Sequence, residues 1–148
     1  MPKEAPPYKF HYLLHSADLV QDLLRVQLAP FEVSPHQARV IKTLDRLGPV
    51  SQIDLAREIG ITAASMSTMT ARLIALDLIR IEKDPSDAKR NVIILTGKGN
   101  ALLRKIDRVW ANVDALLKEK LGAKNFGLLA ELTRTLRDSL DGHAPGDK

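Results

Sequence analysis

Residues 51–76 read SQIDLAREIGITAASMSTMTARLIAL, and they decide the fold. Two short amphipathic segments lie on either side of Gly60-Ile61-Thr62, and each begins at a residue that favours the helix N-cap, Ser51 or Thr62. Apolar residues recur in the second segment at spacings of three and four, at Met66, Met69, Leu73 and Leu76. This pattern is typical of a helix-turn-helix, although a plain helical hairpin shares it.

The residues that follow predict a β-hairpin. Residues 78–83 alternate in part between apolar and polar side chains, and residues 91–95 are mainly β-branched. Between them, residues 84–90 predict a polar turn. A helix-turn-helix followed directly by a hairpin with a charged tip indicates a winged helix. The expected fold class is therefore mainly α with a small β-hairpin wing, and residues 34–96 form the predicted winged helix-turn-helix.

Long amphipathic helices are predicted on both sides of the winged helix. They occupy residues 8–29 and 97–141, where apolar side chains recur at spacings of three and four. These stripes have more apolar positions than one three-helix layer can bury, which favours a two-fold partner and a dimerisation layer. Alternatively, the stripes cover the winged helix of their own chain. Residues 1–148 are expected to form one domain, with disordered ends at residues 1–7 and 142–148.

Short motifs along the chain occur in one order and at short spacings. They are Phe31-Glu32-Val33-Ser34-Pro35-His36-Gln37, then Gly48-Pro49-Val50-Ser51 with Asp54-Leu55-Ala56-Arg57-Glu58-Ile59-Gly60, then Met66-Ser67 and Arg72-Leu73, then Asp84-Pro85 with Asp87, and finally Leu95-Thr96 with Gly99. Together they resemble the MarR (multiple antibiotic resistance regulator) family of bacterial transcription regulators. The resemblance implies a homodimeric regulator, expected to be a repressor. Each subunit would place a recognition helix in the major groove and a wing in the adjacent minor groove of a pseudo-palindromic operator.

Three positions depart from the pattern of the resembled family. Asp77 replaces the usual glycine after the recognition helix, and aspartate tolerates the left-handed backbone that this position needs. Ala38 stands in the second helix where an aromatic side chain is common. The wing has Asp87-Ala88-Lys89 in place of the usual Asp-Arg-Arg, and an arginine follows at Arg90. Either Lys89 contacts DNA as a point charge, or the tip shifts and Arg90 makes the contact.

The outward face of the predicted recognition helix carries small and hydroxyl side chains, which can approach base edges closely. With the third-helix cap and the wing, this face gives the predicted DNA contacts: Ser51, Ala63, Ser65, Ser67, Thr68, Arg72, Lys89 and Arg90. Residues 51–96 contain six basic and six acidic residues, so the net charge of +4 arises elsewhere. DNA binding must therefore depend on where the cations lie, and we expect Asp84 and Asp87 to orient the wing cations. The neutral balance leaves open a winged-helix module for protein contacts without specific DNA binding.

Aromatic, histidine and arginine side chains give a further predicted site, for a small ligand: Tyr8, His11, Tyr12, His15, His36 and Arg39. The resemblance implies a cleft between the dimer layer and the winged helix that takes an anionic aromatic molecule. Alternatively, these side chains cap helices and pack at the dimer interface. The spacing of His11 and His15 can hold zinc. Because there is no cysteine and Asp18 is about one turn away, we expect no metal and no cofactor.

The composition excludes several classes of function. Without cysteine, the chain has no disulfide, thiol nucleophile, thiolate metal site or thiol-based peroxide sensor. There is no glycine-rich phosphate loop and no cluster of acids with a histidine, so nothing points to an enzyme. No apolar run approaches the roughly 20 residues of a membrane helix, and the N-terminus lacks the apolar core of a signal peptide. We therefore expect a cytoplasmic regulator with non-covalent ligand control or none.

Overall fold

The computed structural model describes Met1 and residues 8–142, and the described residues form six α-helices, one 3₁₀ turn and one β-hairpin. In chain order the elements are α1 (Phe10–Leu28), the 3₁₀ turn (Ala29–Phe31), α2 (Pro35–Leu47), α3 (Gln52–Ile59), α4 (Ala63–Ala75), β1 (Ile79–Asp84), β2 (Asp87–Leu95), α5 (Gly97–Leu121) and α6 (Ala123–Ser139). The mainly helical fold with a hairpin wing confirms the predicted class. The predicted disorder at the two ends falls mostly on residues 2–7 and 143–148, which lie outside the described residues.

Side-chain caps fix where four helices begin. At α2 the Gln37 backbone N–H donates to Ser34 Oγ at 3.1 Å, and the Ser34 backbone N–H donates to Gln37 Oε1 at 2.9 Å, which completes a capping box. The hydroxyls of Ser51, Thr62 and Thr96 accept the equivalent backbone hydrogen bond at α3, α4 and α5. Because each cap satisfies an N–H that has no partner within its helix, it defines the helix boundary.

The hydrophobic core lies between α2, α3, α4 and the hairpin, and α5 packs across it. Its fully buried side chains come from most elements of the fold: Leu28, Ile41, Leu55, Met66, Leu73, Ile79, Ile93 and Ile106. The apolar stripe predicted for α5 is buried at Leu102, Ile106, Val109 and Val113. The alternative that the stripes cover their own chain is therefore correct for α5.

The helices α1 and α6 are much less buried. α6 buries none of its residues, and α1 buries only Leu28. Along α1, burial decreases toward the N-terminus: Leu24 is half-buried, whereas Leu13 is exposed. Three leucines at helical spacing are exposed on α6, at Leu129, Leu132 and Leu136, and Leu140, directly after the helix, is exposed too. The single-chain alternative therefore fails for α6 and for the first half of α1.

The hairpin wing differs from the sequence prediction at its tip. The predicted turn over residues 84–90 is wrong, because β2 begins at Asp87 and only Pro85 and Ser86 form the turn. The polar residues at the start of β2 carry no apolar alternation, so the sequence pattern did not reveal their extended backbone. The wing is therefore longer than expected, and both predicted wing cations lie on a strand.

The pairing of the two strands is interrupted near the tip. Asp84 pairs with Asp87, but the next pair along β1 is Lys83 with Asn91. Residues 88–90 consequently have no partner in the ladder, which makes this part of β2 a bulge. At the other end of the hairpin the strands are paired regularly as far as Ile79 and Leu95.

Two backbone positions shape the junctions of the hairpin with α4 and α5, and the first behaves as the sequence predicts. Asp77 has φ +58°, so it takes the left-handed conformation expected at the position where the family usually has glycine. Gly99 lies against the backbone of the residue before β1, and a Cβ built on it would be 2.1 Å from Leu78 O. Only glycine fits there without a shift of the backbone. These two residues set how the hairpin joins α4 and α5.

Candidate nucleic-acid interface

The exposed face of α4 carries the side chains that were predicted to read DNA. They are exposed at Ala63, Ser65, Ser67, Thr68 and Arg72, while Met66, Thr70 and Leu73 face the core. Ser65 Oγ accepts a hydrogen bond from Thr62 at 3.0 Å, and Thr68 Oγ1 donates to Ala64 O at 3.2 Å. Because Ser65 keeps its proton and Thr68 keeps an acceptor lone pair, both hydroxyls retain bonding capacity toward a base edge or a phosphate.

Ser51, also predicted to contact DNA, uses its hydroxyl inside the protein. Its Oγ accepts from the Asp54 backbone N–H at 3.2 Å and donates to Asp54 Oδ2 at 2.7 Å. Ser51 is half-buried at the start of α3. Its hydroxyl proton is thus committed to Asp54, a residue that the sequence analysis did not select.

Asp54 joins α3 to the wing. Its Oδ1 accepts from Arg57 Nη1 at 3.1 Å, and its Oδ2 accepts from Arg90 Nη2 at 2.5 Å. The hydrogen bond from Ser51, followed by the charges of Arg90 and Arg57, lowers the pKa of Asp54 below its ordinary value, against an opposing effect of desolvation. The carboxylate therefore remains ionised at neutral pH. Sequence reasoning missed this contact because 36 residues separate its partners.

The wing acids do not orient the wing cations, contrary to expectation. Asp84 Oδ1 accepts from the Ser86 backbone N–H at 2.9 Å and from the Ser86 hydroxyl at 2.8 Å. Asp87 Oδ1 accepts from the Lys89 backbone N–H at 3.0 Å. The two hydrogen bonds from Ser86 are the main cause that lowers the pKa of Asp84. Both carboxylates thus order the backbone of the turn instead of holding a cationic side chain.

The cations of the winged helix divide into two groups. Ion pairs hold Arg57, Arg80 and Arg90. Within residues 8–142, the side chains of Arg72, Lys83 and Lys89 make no ion pair, and all three are exposed. These are the charges that remain available to phosphate groups.

Arg72 occupies a groove beside the start of α2, with Glu32, Ser34 and Gln37. Lys89 lies on β2 and Arg72 lies on α4, so the available cations stand on two elements of the winged helix. This placement is what a neutral winged helix needs if it is to bind a polyanion.

A second candidate site is a cleft of about 500 Å³ between α1, α2 and α5. Its walls combine apolar side chains with a few polar ones: Val20, Gln21, Leu24, Pro35, His36, Arg39, Trp110, Ala111, Val113, Asp114 and Leu117. The size and the mixture of side chains are typical of small-molecule sites. Neither Arg39 nor Asp114 has an ion-pair partner in the described part of the chain.

The residues predicted for the ligand site do not come together in one chain. His36 and Arg39 line the cleft between α1, α2 and α5. His11, Tyr12 and His15 line a separate depression on α1 alone. The prediction of a single site from these residues and Tyr8 is therefore wrong for the isolated chain, because the two groups lie toward opposite ends of α1.

Tyr8 lines neither of these surfaces, and its ring lies 6.2 Å from the ring of Phe10. Trp110 and Asp114 were missed as lining residues of the cleft. Their i, i+4 spacing puts both side chains on one face of α5, but the sequence does not show which helix that face meets.

Met1 and residues 8–142 contain no group of three or more histidine or acidic side chains placed to hold a metal ion. Over the same residues, no helix combines the length and the apolar character needed to cross a membrane.

Comparison with known proteins agrees with the winged-helix arrangement of α2, α3, α4 and the hairpin. A family model described as "MarR family" matches residues 31–90, which include α2, α3, α4 and most of the wing. An uncharacterised helix-turn-helix regulator of Bacillus subtilis, YhbI, is 26% identical over 120 residues, which is 81% of this chain and 78% of that protein.

Two solved structures share the fold over most of their length. The transcriptional repressor CouR, bound to a 23-mer DNA duplex, is 28% identical with a TM-score of 0.76 over 85% of this chain and 90% of CouR. A mutant of MarR from Escherichia coli, in complex with operator DNA, has a TM-score of 0.75 at 18% identity over 86% of this chain and 92% of that one. At this identity the second structure supports the fold alone.

Proposed function

We propose that the chain is a winged-helix transcriptional regulator of the MarR family, that it represses transcription as a homodimer on a pseudo-palindromic operator, and that a small ligand modulates its DNA affinity. Its relatives are DNA-binding regulators and not enzymes. The sign of regulation follows the similarity to the repressor CouR.

One observation carries the DNA-binding proposal. The α4 face is exposed, small and rich in hydroxyls, and within the described residues Arg72 on this face and Lys89 on the wing make no ion pair. Small side chains let a helix approach base edges, and hydroxyls bond to either bases or phosphates. The unpaired cations supply phosphate contacts that fix the orientation of the helix without reading sequence. We assign DNA contact to Ala63, Ser65, Ser67, Thr68, Arg72 and Lys89, with Ser51 and Arg90 acting through Asp54.

The exposed leucines of α6 support the homodimer. Leu132 is 57% exposed and Leu136 is 42% exposed, although both lie on one face of a well-formed helix. Phe10 and Leu14 leave a similar apolar surface on α1. Contiguous apolar surface of this kind marks an interaction site. A second copy of the chain is the proposed partner because an isologous contact covers the same face on both subunits.

The cleft between α1, α2 and α5 supports ligand control. Arg39 provides a cationic donor, Trp110 provides an aromatic surface, and Asp114 provides an acceptor on another wall. An anionic aromatic molecule fits the first two features. A ligand changes operator affinity only through its different affinity for the DNA-competent and DNA-incompetent arrangements of the dimer.

DNase I footprinting with the region upstream of the protein's own gene tests the proposal. We expect a symmetric protected site with half-sites one helical turn apart. Absence of protection at low salt would instead favour a protein-interaction module. The single tryptophan provides an independent test of the cleft, because an aromatic acid bound beside Trp110 should quench its fluorescence, and Arg39→Gln should weaken that quenching.

A further inference from the structure

We propose that Asp54 is a latch for the wing: it holds Arg90, and so fixes the place where Lys89 meets the phosphate backbone. On this basis Arg90 is a positioning residue, and Lys89 is the wing's phosphate contact. The inference rests on the proposed DNA-binding function. It deepens that function by giving different roles to two neighbouring cations, positioning of the wing to Arg90 and phosphate contact to Lys89.

The first argument is the backbone of β2. Residues 88–90 have no Cα partner on β1, because the register of the two strands shifts between Lys83 and Asp84. Two side-chain contacts are made in this segment, the Lys89 N–H to Asp87 Oδ1 bond at 3.0 Å and the Arg90 Nη2 to Asp54 Oδ2 bond at 2.5 Å. The second of these is the one that ties the segment to a different element of the fold. It therefore determines where the bulge lies relative to α3.

The second argument is the way Asp54 is held. Its carboxylate stands in the first turn of α3, where the helix dipole favours a negative charge. The Ser51 hydroxyl donates to it at 2.7 Å, and Arg57 of the same helix occupies its other oxygen at 3.1 Å. A carboxylate fixed by its own helix on both oxygens offers a rigid acceptor to Arg90. The charge-assisted bond to the guanidinium is the stronger kind of surface hydrogen bond.

The third argument is the difference between Lys89 and Arg90. Arg90 is committed to α3, because its Nη2 donates to Asp54 Oδ2 at 2.5 Å. Lys89 makes no ion pair within the described residues, and its ammonium is a point charge that binds phosphate without a demand for planar geometry. The choice that the sequence left open is thus resolved in favour of Lys89.

In a competing arrangement, loss of the Asp54 carboxylate would change DNA affinity in the opposite direction. If the carboxylate were a stand-in for phosphate, DNA would displace it and take Arg90 directly. Removal of the carboxylate would then free a cation and tighten DNA binding. The latch makes the contrary prediction, because a wing without its anchor must be ordered by DNA at a cost in affinity.

The latch can be tested first without DNA, by hydrogen exchange of the full-length protein. Arg90→Gln and Asp54→Asn should both accelerate amide exchange in residues 88–90 by about threefold or more, because local opening becomes easier. Arg80→Gln is the matched control, since it removes a cation of the same hairpin that pairs with Glu82 and leaves both Asp54 and Arg90 in place. Unchanged exchange in the wing of Arg90→Gln would overturn the latch.

The second measurement is the salt dependence of binding to the footprinted operator. Lys89→Gln should lower the slope of log affinity against log salt by about one per subunit. Arg90→Gln should weaken DNA binding about threefold to fivefold, because an exposed ion pair contributes little energy. The slope of log affinity against log salt should be the same for Arg90→Gln as for the control Arg80→Gln. Arg80 lies on the same hairpin and pairs with Glu82, so it corrects for the loss of one distant charge.

Three outcomes of the DNA titration decide the matter. If the Asp54→Asn, Arg90→Gln double variant binds no more weakly than the weaker single variant, the two residues act as one unit. If Arg90→Gln lowers the slope as much as Lys89→Gln, Arg90 touches phosphate and the latch is wrong. Tighter binding by Asp54→Asn would contradict it as well. Should the wild-type protein bind no DNA at all, the proposed function fails, while the exchange experiment still decides whether the latch exists.

Discussion

The winged helix buries its apolar side chains, whereas the two outer helices, α1 and α6, leave most of theirs exposed. In the winged helix, side chains such as Ile41, Leu55 and Met66 are fully buried by the chain itself. On α6 no residue is buried, and its leucines stay exposed although the helix is regular from Ala123 to Ser139. The winged helix therefore buries its core within a single chain, whereas the leucines of α6 would be buried only in the proposed dimer. Substitutions should affect the first through folding and the second through assembly.

The largest effect is expected on α6. Leu132→Glu with Leu136→Glu places two charges in the exposed leucine stripe and should convert the dimer to monomers, as measured by sedimentation velocity. DNA affinity should fall on the order of 100-fold or more, because two linked half-site contacts become independent. The thermal midpoint of the winged helix should change little, since neither leucine is buried in its own chain.

Arg134→Glu is the control for these α6 variants. It changes the net charge by the same two units on an exposed side of the helix, and should remain dimeric. A monomeric double variant that bound the operator with wild-type affinity would break the link between assembly and DNA binding.

The contrast also explains how much the sequence predicted. Helix caps such as Ser34 with Gln37, and the apolar spacing in α4, depend on residues three or four apart, so they were predicted correctly. The bulge at residues 88–90 and the contact of Arg90 with Asp54 depend on residues that lie far apart in the chain. No local pattern encodes such contacts, and the predicted wing turn and the role of the wing acids were wrong for that reason.

The division of the predicted ligand site has the same origin. His11 and His36 carry similar chemistry, and the sequence suggested that they share one site. Their separation follows from the length of α1, because a helix rises 1.5 Å per residue and His11 lies near its beginning. Trp110 reaches the cleft from α5, which the local sequence around α1 and α2 could not indicate.

A second prediction concerns the junction inside the winged helix. Gly99→Ala places a methyl group 2.1 Å from Leu78 O and should lower the free energy of unfolding by about 1–3 kcal/mol, through a forced backbone shift. Urea denaturation measures this. Gly97→Ala is the matched control two residues earlier, where an added Cβ meets nothing within 4 Å. Equal stability of the two variants would mean that the close approach at Gly99 is relieved at no cost.

A third prediction tests the cap of α2. Ser34→Ala removes the acceptor for the Gln37 N–H and should destabilise the protein by about 1 kcal/mol. Ser139→Ala, which removes a hydroxyl from the last turn of α6, should have a much smaller effect because that hydroxyl only bonds to Thr135 O within its own helix. The reverse order of the two effects would show that α6, and not α2, limits stability.

The smallest effect is a pH dependence in the wing turn. The pKa of Asp84 is lowered by hydrogen bonds from Ser86, so the stabilisation is present above the pKa of the unfolded chain and is lost as pH falls through the lower, folded pKa. The amide proton resonance of Ser86 should therefore titrate with a midpoint below the ordinary value for aspartate, while the global fold is retained. Asp84→Asn should abolish this titration. A midpoint at or above the ordinary value would mean that the Asp84 carboxylate does not hold the turn. The wing would then lack one of the internal hydrogen bonds that set it apart from the exposed apolar faces of α1 and α6.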